Sequence, residues 1–304
     1  MEQLAHEEFV LWQGGEGGKA AGTRRSVAHA TARAARMRKP NVLWARLFVL
    51  VHLAVVVVPL VVVGVWAFAT AWPWPGLLPK GWTLRGIELV LGSGLECLGL
   101  SVGIAVASSG VATLAATAVA RALCCYRWHG RQLVRFGVLL PFLVPTTVFA
   151  MGIQVAFIRL GLAGTVGGVV LAHAVVALPY AVAIMLDATA AAGTRLEEAA
   201  RTLGASGLRA FVRVTLPLLA PGMVTALSMG YILSFSQYFL TLLVGSGRVK
   251  TFALVLFPYL SGGDRTVAGA YGLVFIVATL VAFFAFEALL RKLRVGQVQE
   301  LYGL

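Results

Sequence analysis

The chain of 304 residues is 59% hydrophobic and 12% charged, far from the roughly one-quarter charged composition of a soluble domain. That balance excludes an ordinary globular protein of the aqueous phase and points to an all-α membrane protein. The net charge of +13 does not require nucleic acid, since no aromatic-interleaved basic module accompanies it. Cys97, Cys124 and Cys125 have no spacing that suggests zinc or a disulfide framework.

Residues 1–40 have no apolar period: "GGEGGKAAG" is followed by Arg24, Arg25, Arg33, Arg36, Arg38 and Lys39. This predicts a flexible basic arm without the pattern of a secretory signal. "MRKPNVLWARLFVL", from Met37, is a complete start for a membrane protein by itself, so translation from Met37 is an expectation that intact mass would test. Residues 41–94 hold a first predicted crossing at 45–69 and a loop, "AWPWPGLLPKGW". Trp72, Trp74 and Trp82 in that loop suit the headgroup level. Residues 87–120 are apolar for longer than one crossing needs, which predicts a short interfacial piece at 87–94 before a second span at 95–120. Further runs at 133–157, 166–191, 216–243 and 267–290 bring the total to about six transmembrane helices. Each meets the requirement of roughly 20 residues, and helices satisfy their own peptide groups in lipid. A core at 95–290 and a tail at 291–304 complete the predicted organisation.

Charge sets the predicted orientation. The N-terminus, the loops around 121–135 and 193–213, and the tail carry 8, 4, 4 and 3 Lys and Arg. The alternate loops carry 2, 1 and 3. Both termini and the 193–213 loop are therefore expected in the cytoplasm.

That loop contains "TRLEEAARTLG" from Thr194. Thr194 and Glu197 have the spacing of a capping box. Leu196, Ala199, Ala200 and Leu203 form one apolar stripe, and Gly204 stands where a left-handed residue ends a helix. Ser206 is placed to cap a second helix, in which Leu208, Phe211 and Val212 share a face. Pro217 is expected to break or bend the chain on re-entry. A helix of two turns does not persist alone in water. Its stripe needs a recipient: its own protein or the headgroups on one reading, a cytoplasmic partner on the other.

Glu198-Ala199-Ala200, three residues, Gly204, nine residues, Val214, one residue and Leu216-Pro217 resemble the EAA loop of binding-protein-dependent ABC importer permeases. The family pattern is EAA-x3-G-x9-I-x-LP, and Val214 in place of Ile is the departure. "GAS" after the loop helix, "LPY" at 178–180 and "PFLVP" at 141–145 are similar to the family as well, and the likeness covers about 90–290. Polyamine, thiamine and iron permeases are the nearest in character. The resemblance implies a subunit of the bacterial cytoplasmic (inner) membrane that forms half of a translocation pathway without being an enzyme. It implies two ABC ATPase subunits, a second permease (homologous or identical) and an external solute-binding protein as partners. Its coupling loop would span 194–217 and use Leu196, Glu197, Glu198, Ala199, Ala200, Leu203, Gly204, Ala205 and Ser206. Glu198 would serve the interface, Gly204 the turn, and Ala199, Ala200 and Leu203 the packing. No GxxxxGK[ST] phosphate loop occurs in the chain, so ATP and magnesium would belong to the partner ATPases and no cofactor to this chain.

Polar groups inside predicted spans are pathway candidates, since a mid-bilayer charge costs about 2.5–3.5 kcal/mol on insertion scales. Gln154, His173, Ser234, Ser236 and Gln237 are the candidates here. Asp187 is expected to pair with a nearby basic group, and Glu96 and Glu287 to face water. "SFSQYF" at 234–239 suits a wetted seam or helix packing equally. In the polyamine permeases, which it resembles, acidic residues follow a comparable "SF". Ser236 and Gln237 replace them here, which argues against a cationic polyamine and leaves thiamine, iron and other small solutes open. Two rival classes stand beside the importer. One is an ATPase-independent carrier or channel. The other is an intramembrane serine protease, suggested by "GASG" at 204–207 and His173 but opposed by the charged, watery setting of Ser206.

Overall fold

Lipid offers peptide groups no partner but one another, and the apolar runs accordingly wind into helices. The computed structural model describes residues 42–73, 76 and 78–302. The basic arm, the start expected at Met37 and Trp74 lie outside them. Five helices among the described residues are long and apolar enough to cross a membrane, and a bent pair makes a sixth.

Helix α1 is Val42–Phe68, and large apolar side chains along it, from Trp44 to Leu60, are exposed. Helix α2 runs unbroken over Arg85–Cys125, with Val90–Gly94 wound as a π turn. The interfacial piece expected at 87–94 is thus fused to the span. The wide turn admits an extra residue, and one glycine ahead of it and one at its end lie against α10, defined below. A Cβ on Gly86 would fall 2.8 Å from Ala270 Cβ, and one on Gly94 3.3 Å from the Tyr271 ring.

The crossing expected at 133–157 is two helices, α3 (Arg131–Leu143) and α4 (Thr146–Arg159), bent by 108°. Pro145 explains the break: it disfavours the helical conformation in the residue before it, and Val144 is extended at φ −90°, ψ 134°.

Helix α5 is Val166–Ala192, α6 Arg195–Thr202 and α7 Gly207–Phe235. Where a break or bend is expected at Pro217, α7 winds a π turn at Phe211–Thr215 and its helix continues unbroken through Pro217. The crossing expected at 216–243 stops at Phe235. Residues 236–238 are non-helical, and α8 (Phe239–Gly245) follows. Helices α9 (Phe252–Gly262) and α10 (Arg265–Tyr302) complete the order.

The centre is α2, α5 and α7. Ala112, Ala116 and Ala120 of α2 meet Ala174, Ala177 and Ala181 of α5 and Ala226 of α7 in one buried cluster. Small residues let helix backbones approach where no hydrophobic force drives them together in lipid. Gly222 and Gly230 show how close: a Cβ would fall 2.5 Å from Ala188 Cβ at the first and 3.0 Å from Ser109 Cβ at the second. This close-packed trio carries the 193–213 loop at one end and a polar knot in its interior.

Candidate functional site

Helix α6 ends on Gly204, which takes φ +92°. The Ala205 amide donates to Ala200 carbonyl at 3.1 Å and the Gly204 amide to Arg201 carbonyl at 3.0 Å, the paired bonds of a Schellman stop. The Ser206 side chain accepts from the Arg209 amide and starts α7.

The capping box expected between Thr194 and Glu197 does not form, because Thr194 makes no side-chain cap. Glu197 turns to a stronger partner. Nη1 and Nη2 of Arg121, near the end of α2, donate to its two carboxylate oxygens at 3.0 and 3.1 Å. The Thr215 hydroxyl, in the π turn of α7, donates to Oε2. The Arg121 guanidinium also lies 4.4 Å from the centre of the Phe211 ring. A bidentate charged pair outweighs a bond to a neutral amide, and both side chains are only 15% exposed. The Arg121 guanidinium, and after it the Thr215 hydroxyl, hold the Glu197 carboxyl below the usual carboxylate range against the opposing effect of burial.

The rest of the loop faces outwards. Leu196, Leu203 and Leu208 are 57%, 89% and 75% exposed. Glu198, Ala199 and Ser206 are exposed, while Ala200 and Ala205 are half-buried. The Glu198 carboxylate makes no hydrogen bond or ion pair to a described residue. The loop is therefore clamped through Glu197 and bare at the leucines of its apolar stripe. Arg121 and Thr215 were missed by sequence reasoning. Arg121 counted only towards orientation, and its partner is 76 residues away.

The pathway candidates separate. His173 on α5 is buried, with Nδ1 2.8 Å from Ser234 Oγ on α7 and Nε2 3.0 Å from Thr241 Oγ1 on α8. The Thr241 hydroxyl donates to Gln237 carbonyl at 2.9 Å. In a neutral ring this assigns the proton to Nε2, which donates to Thr241, while Nδ1 accepts from Ser234. Thr241, also missed, joins α5 to the break after α7. Ser236 is exposed and donates to Ile232 and Leu233 carbonyls. Gln237 is half-buried within the break, and Gln154 is half-buried on α4. Neither carboxamide bonds to a described residue, and Gln154 does not join the knot. Glu96 is exposed. Glu287 pairs with Arg291 at 3.0 Å. Asp187 is exposed and has no ion pair among the described residues, contrary to the pairing expected of it. The protease pairing is not assembled, since Ser206 caps a helix while His173 bonds Ser234 and Thr241.

The sequence profile of the binding-protein-dependent transport system inner membrane component matches residues 112–295. The chain belongs to this family. It is 32% identical over 254 residues to the molybdenum transport system permease protein ModB of Mycobacterium tuberculosis, covering 78% of this chain and 91% of that relative. It is 28% identical over 223 residues to PhnV of Salmonella typhimurium, a permease named for 2-aminoethylphosphonate transport, covering 72% and 84%. In fold it is similar to a chain of a bacterial ABC transporter involved in the import of the acidic polysaccharide alginate. That match has TM-score 0.68 and 16% identity, and covers 83% of this chain and 97% of the other. The MetNI methionine ABC transporter gives TM-score 0.55 at 17% identity, covering 69% and 99%. The chain is thus a multi-pass permease subunit of an ABC importer. Its family implies ATPase and binding-protein partners.

Proposed function

We propose that this subunit forms half of a translocation pathway and couples to a cytoplasmic ATPase through α6. The observation that carries this reading is the division of α6 into a clamped side and a bare one. Glu197 fixes the helix to α2 and α7, while Leu196 and Leu203 stay largely exposed. Exposed leucines beside a rigid clamp fit a knob that enters a groove on another protein. Motion of that groove would then reach both membrane helices through Arg121 and Thr215.

On this reading both termini and the loop lie in the cytoplasm, and residues 291–304 form a cytoplasmic tail. The membrane is the bacterial inner membrane, and nucleic acid is no partner. Two ATPase subunits use ATP and magnesium, a second permease supplies the other half of the pathway, and a binding protein delivers the solute outside. This chain binds no cofactor and catalyses no reaction. Cysteines placed at Leu203 and Leu208 should crosslink to the ATPase in cells, and Gly204→Asp should weaken its capture and uncouple uptake while the membrane fold survives. Full uptake by the purified chain without ATP or ATPase would instead establish a secondary carrier or channel.

We infer a small anionic cargo. The break after α7 offers the Gln237 carboxamide, and residues 232–243 contain no Asp or Glu. Arg159, Arg248 and Lys250 are exposed and have no ion pair among the described residues. Arg248 lies over Gly164 in the neighbouring loop. A cation would find no carboxylate within residues 232–243, whereas an anion would meet the Gln237 carboxamide and the positive field of these exposed side chains. The solute in the name of PhnV carries a phosphonate anion, which suits this field, beside an ammonium group, which does not. Uptake by the reconstituted transporter should be competed by small oxyanions and left untouched by spermidine; the reverse would overturn the inference.

A further inference from the structure

A groove of about 220 Å³ opens where the last turns of α1 meet α9 and α10. Trp66, Leu256, Tyr259 and Leu260 line it, and Arg265 is the charged member of the lining. Its floor is glycine. A Cβ on Gly269 would fall 2.7 Å from the Ala67 nitrogen, and one on Gly272 3.1 Å from Val63 Cγ1. The two helices therefore touch at their backbones, and the hollow lies between the larger side chains.

Aromatic rings mark its depth. Trp66 and Trp72 lie 5.6 Å apart, and Trp82 in the same connection is 67% exposed. Tryptophans settle at the junction of hydrocarbon and headgroups, so the groove runs from that level into the hydrocarbon. The exposed Arg265 guanidinium lies 5.4 Å from the Trp66 ring centre. The carboxylate beside it in sequence, Asp264, is already taken by Arg85 at 2.6 Å. Arg265 itself makes no ion pair to a described residue.

We propose that this groove is a site for an anionic phospholipid of the leaflet at the Arg265 end, its acyl chain on the apolar lining and its phosphate on Arg265. Charge complementarity selects this occupant. A guanidinium presents forked donors that match a phosphate. A protein helix filling the groove would strand the same cation unless it brought a carboxylate, whereas a phospholipid supplies chain and anion together. A zwitterionic lipid fits the lining but brings a competing cation.

The test is native mass spectrometry of the full chain with its co-purifying subunits, titrated with phosphatidylglycerol and with phosphatidylcholine of identical chains. Phosphatidylglycerol should be retained about fivefold better, the factor expected for one basic group near a lipid surface. Arg265→Gln should bring the two lipids level, Arg265→Lys should keep part of the preference, and Leu260→Trp, which narrows the groove, should lower both. Equal retention by the unaltered protein, or a preference unchanged in Arg265→Gln, would overturn the proposal. So would a photo-crosslinker at Leu260 that captured a protein chain instead of lipid.

Discussion

Two of the polar knots among the described residues of this permease are made of different chemistry. At the loop end, Arg121, Glu197 and Thr215 use full charges. In the interior, His173, Ser234 and Thr241 use an imidazole ring and two hydroxyls. The contrast follows from the surroundings. A charged pair that keeps some contact with water avoids the full desolvation penalty and gains bidentate strength. Deep in the helix trio only groups that stay neutral tie segments together cheaply. On the coupling role proposed above, the clamp would bear the load and the knot would hold a register.

The largest effect should come from breaking the clamp. Arg121→Glu sets two carboxylates against one another and removes two charged hydrogen bonds, each worth about 1.5–3 kcal/mol, together on the order of a hundredfold in the docked fraction of the loop. ATP-driven uptake in proteoliposomes should fall to background, and the reciprocal swap with Glu197→Arg should recover part of it. No recovery would make the clamp an incidental contact. The clamp also has a pH signature. Glu197 sits below the usual carboxylate range because Arg121 donates to it, so its contribution is complete above the unfolded value of about 4.3. That contribution is lost as pH falls through the lower folded value. Coupling should therefore be flat between pH 8 and pH 5, and a clamp that weakened in that window would be held by some other group.

How much of this was legible in the sequence depends on the range of the physics. The membrane class, the apolar stripe, the left-handed Gly204 and the Ser206 cap are local patterns, and each is in place. The capping box was local too, and it lost Glu197 to an arginine that no window around Thr194 contains. Apolar length predicted crossings at 133–157 and 216–243, but length is blind to Pro145 forcing Val144 out of the helix. It is equally blind to a break after Phe235 whose carbonyl at Gln237 is met by Thr241. His173 was legible as a buried polar residue; its partners, 61 and 68 residues away, were not.

A middle-sized effect belongs to the interior knot. His173→Ala leaves Ser234 and Thr241 without their shared partner, and interhelical bonds of this kind average about 0.6 kcal/mol, with a maximum near 1.7. A cavity at a fully packed position adds to that. The thermal midpoint of the purified protein should fall by the equivalent of about 2 kcal/mol, with little dependence on salt. A drop that grew with falling ionic strength would mean the knot carries charge and would erase its distinction from the clamp.

The smallest effect tests whether charge or burial makes the clamp strong. Glu287 and Arg291 also meet at 3.0 Å, but their side chains are 37% and 77% exposed, against 15% for each partner of the clamp. Exposed pairs one helical turn apart contribute about 0.3–0.5 kcal/mol. Glu287→Gln should therefore shift the thermal midpoint barely beyond error, and raised salt should leave even less of the difference. The same charges at the same separation would then differ several-fold in consequence, with solvent access as the variable between them. Should Glu287→Gln cost as much as Glu197→Gln, distance alone would account for both pairs, and burial between α2 and α7 would lose its claim to set the strength of the clamp.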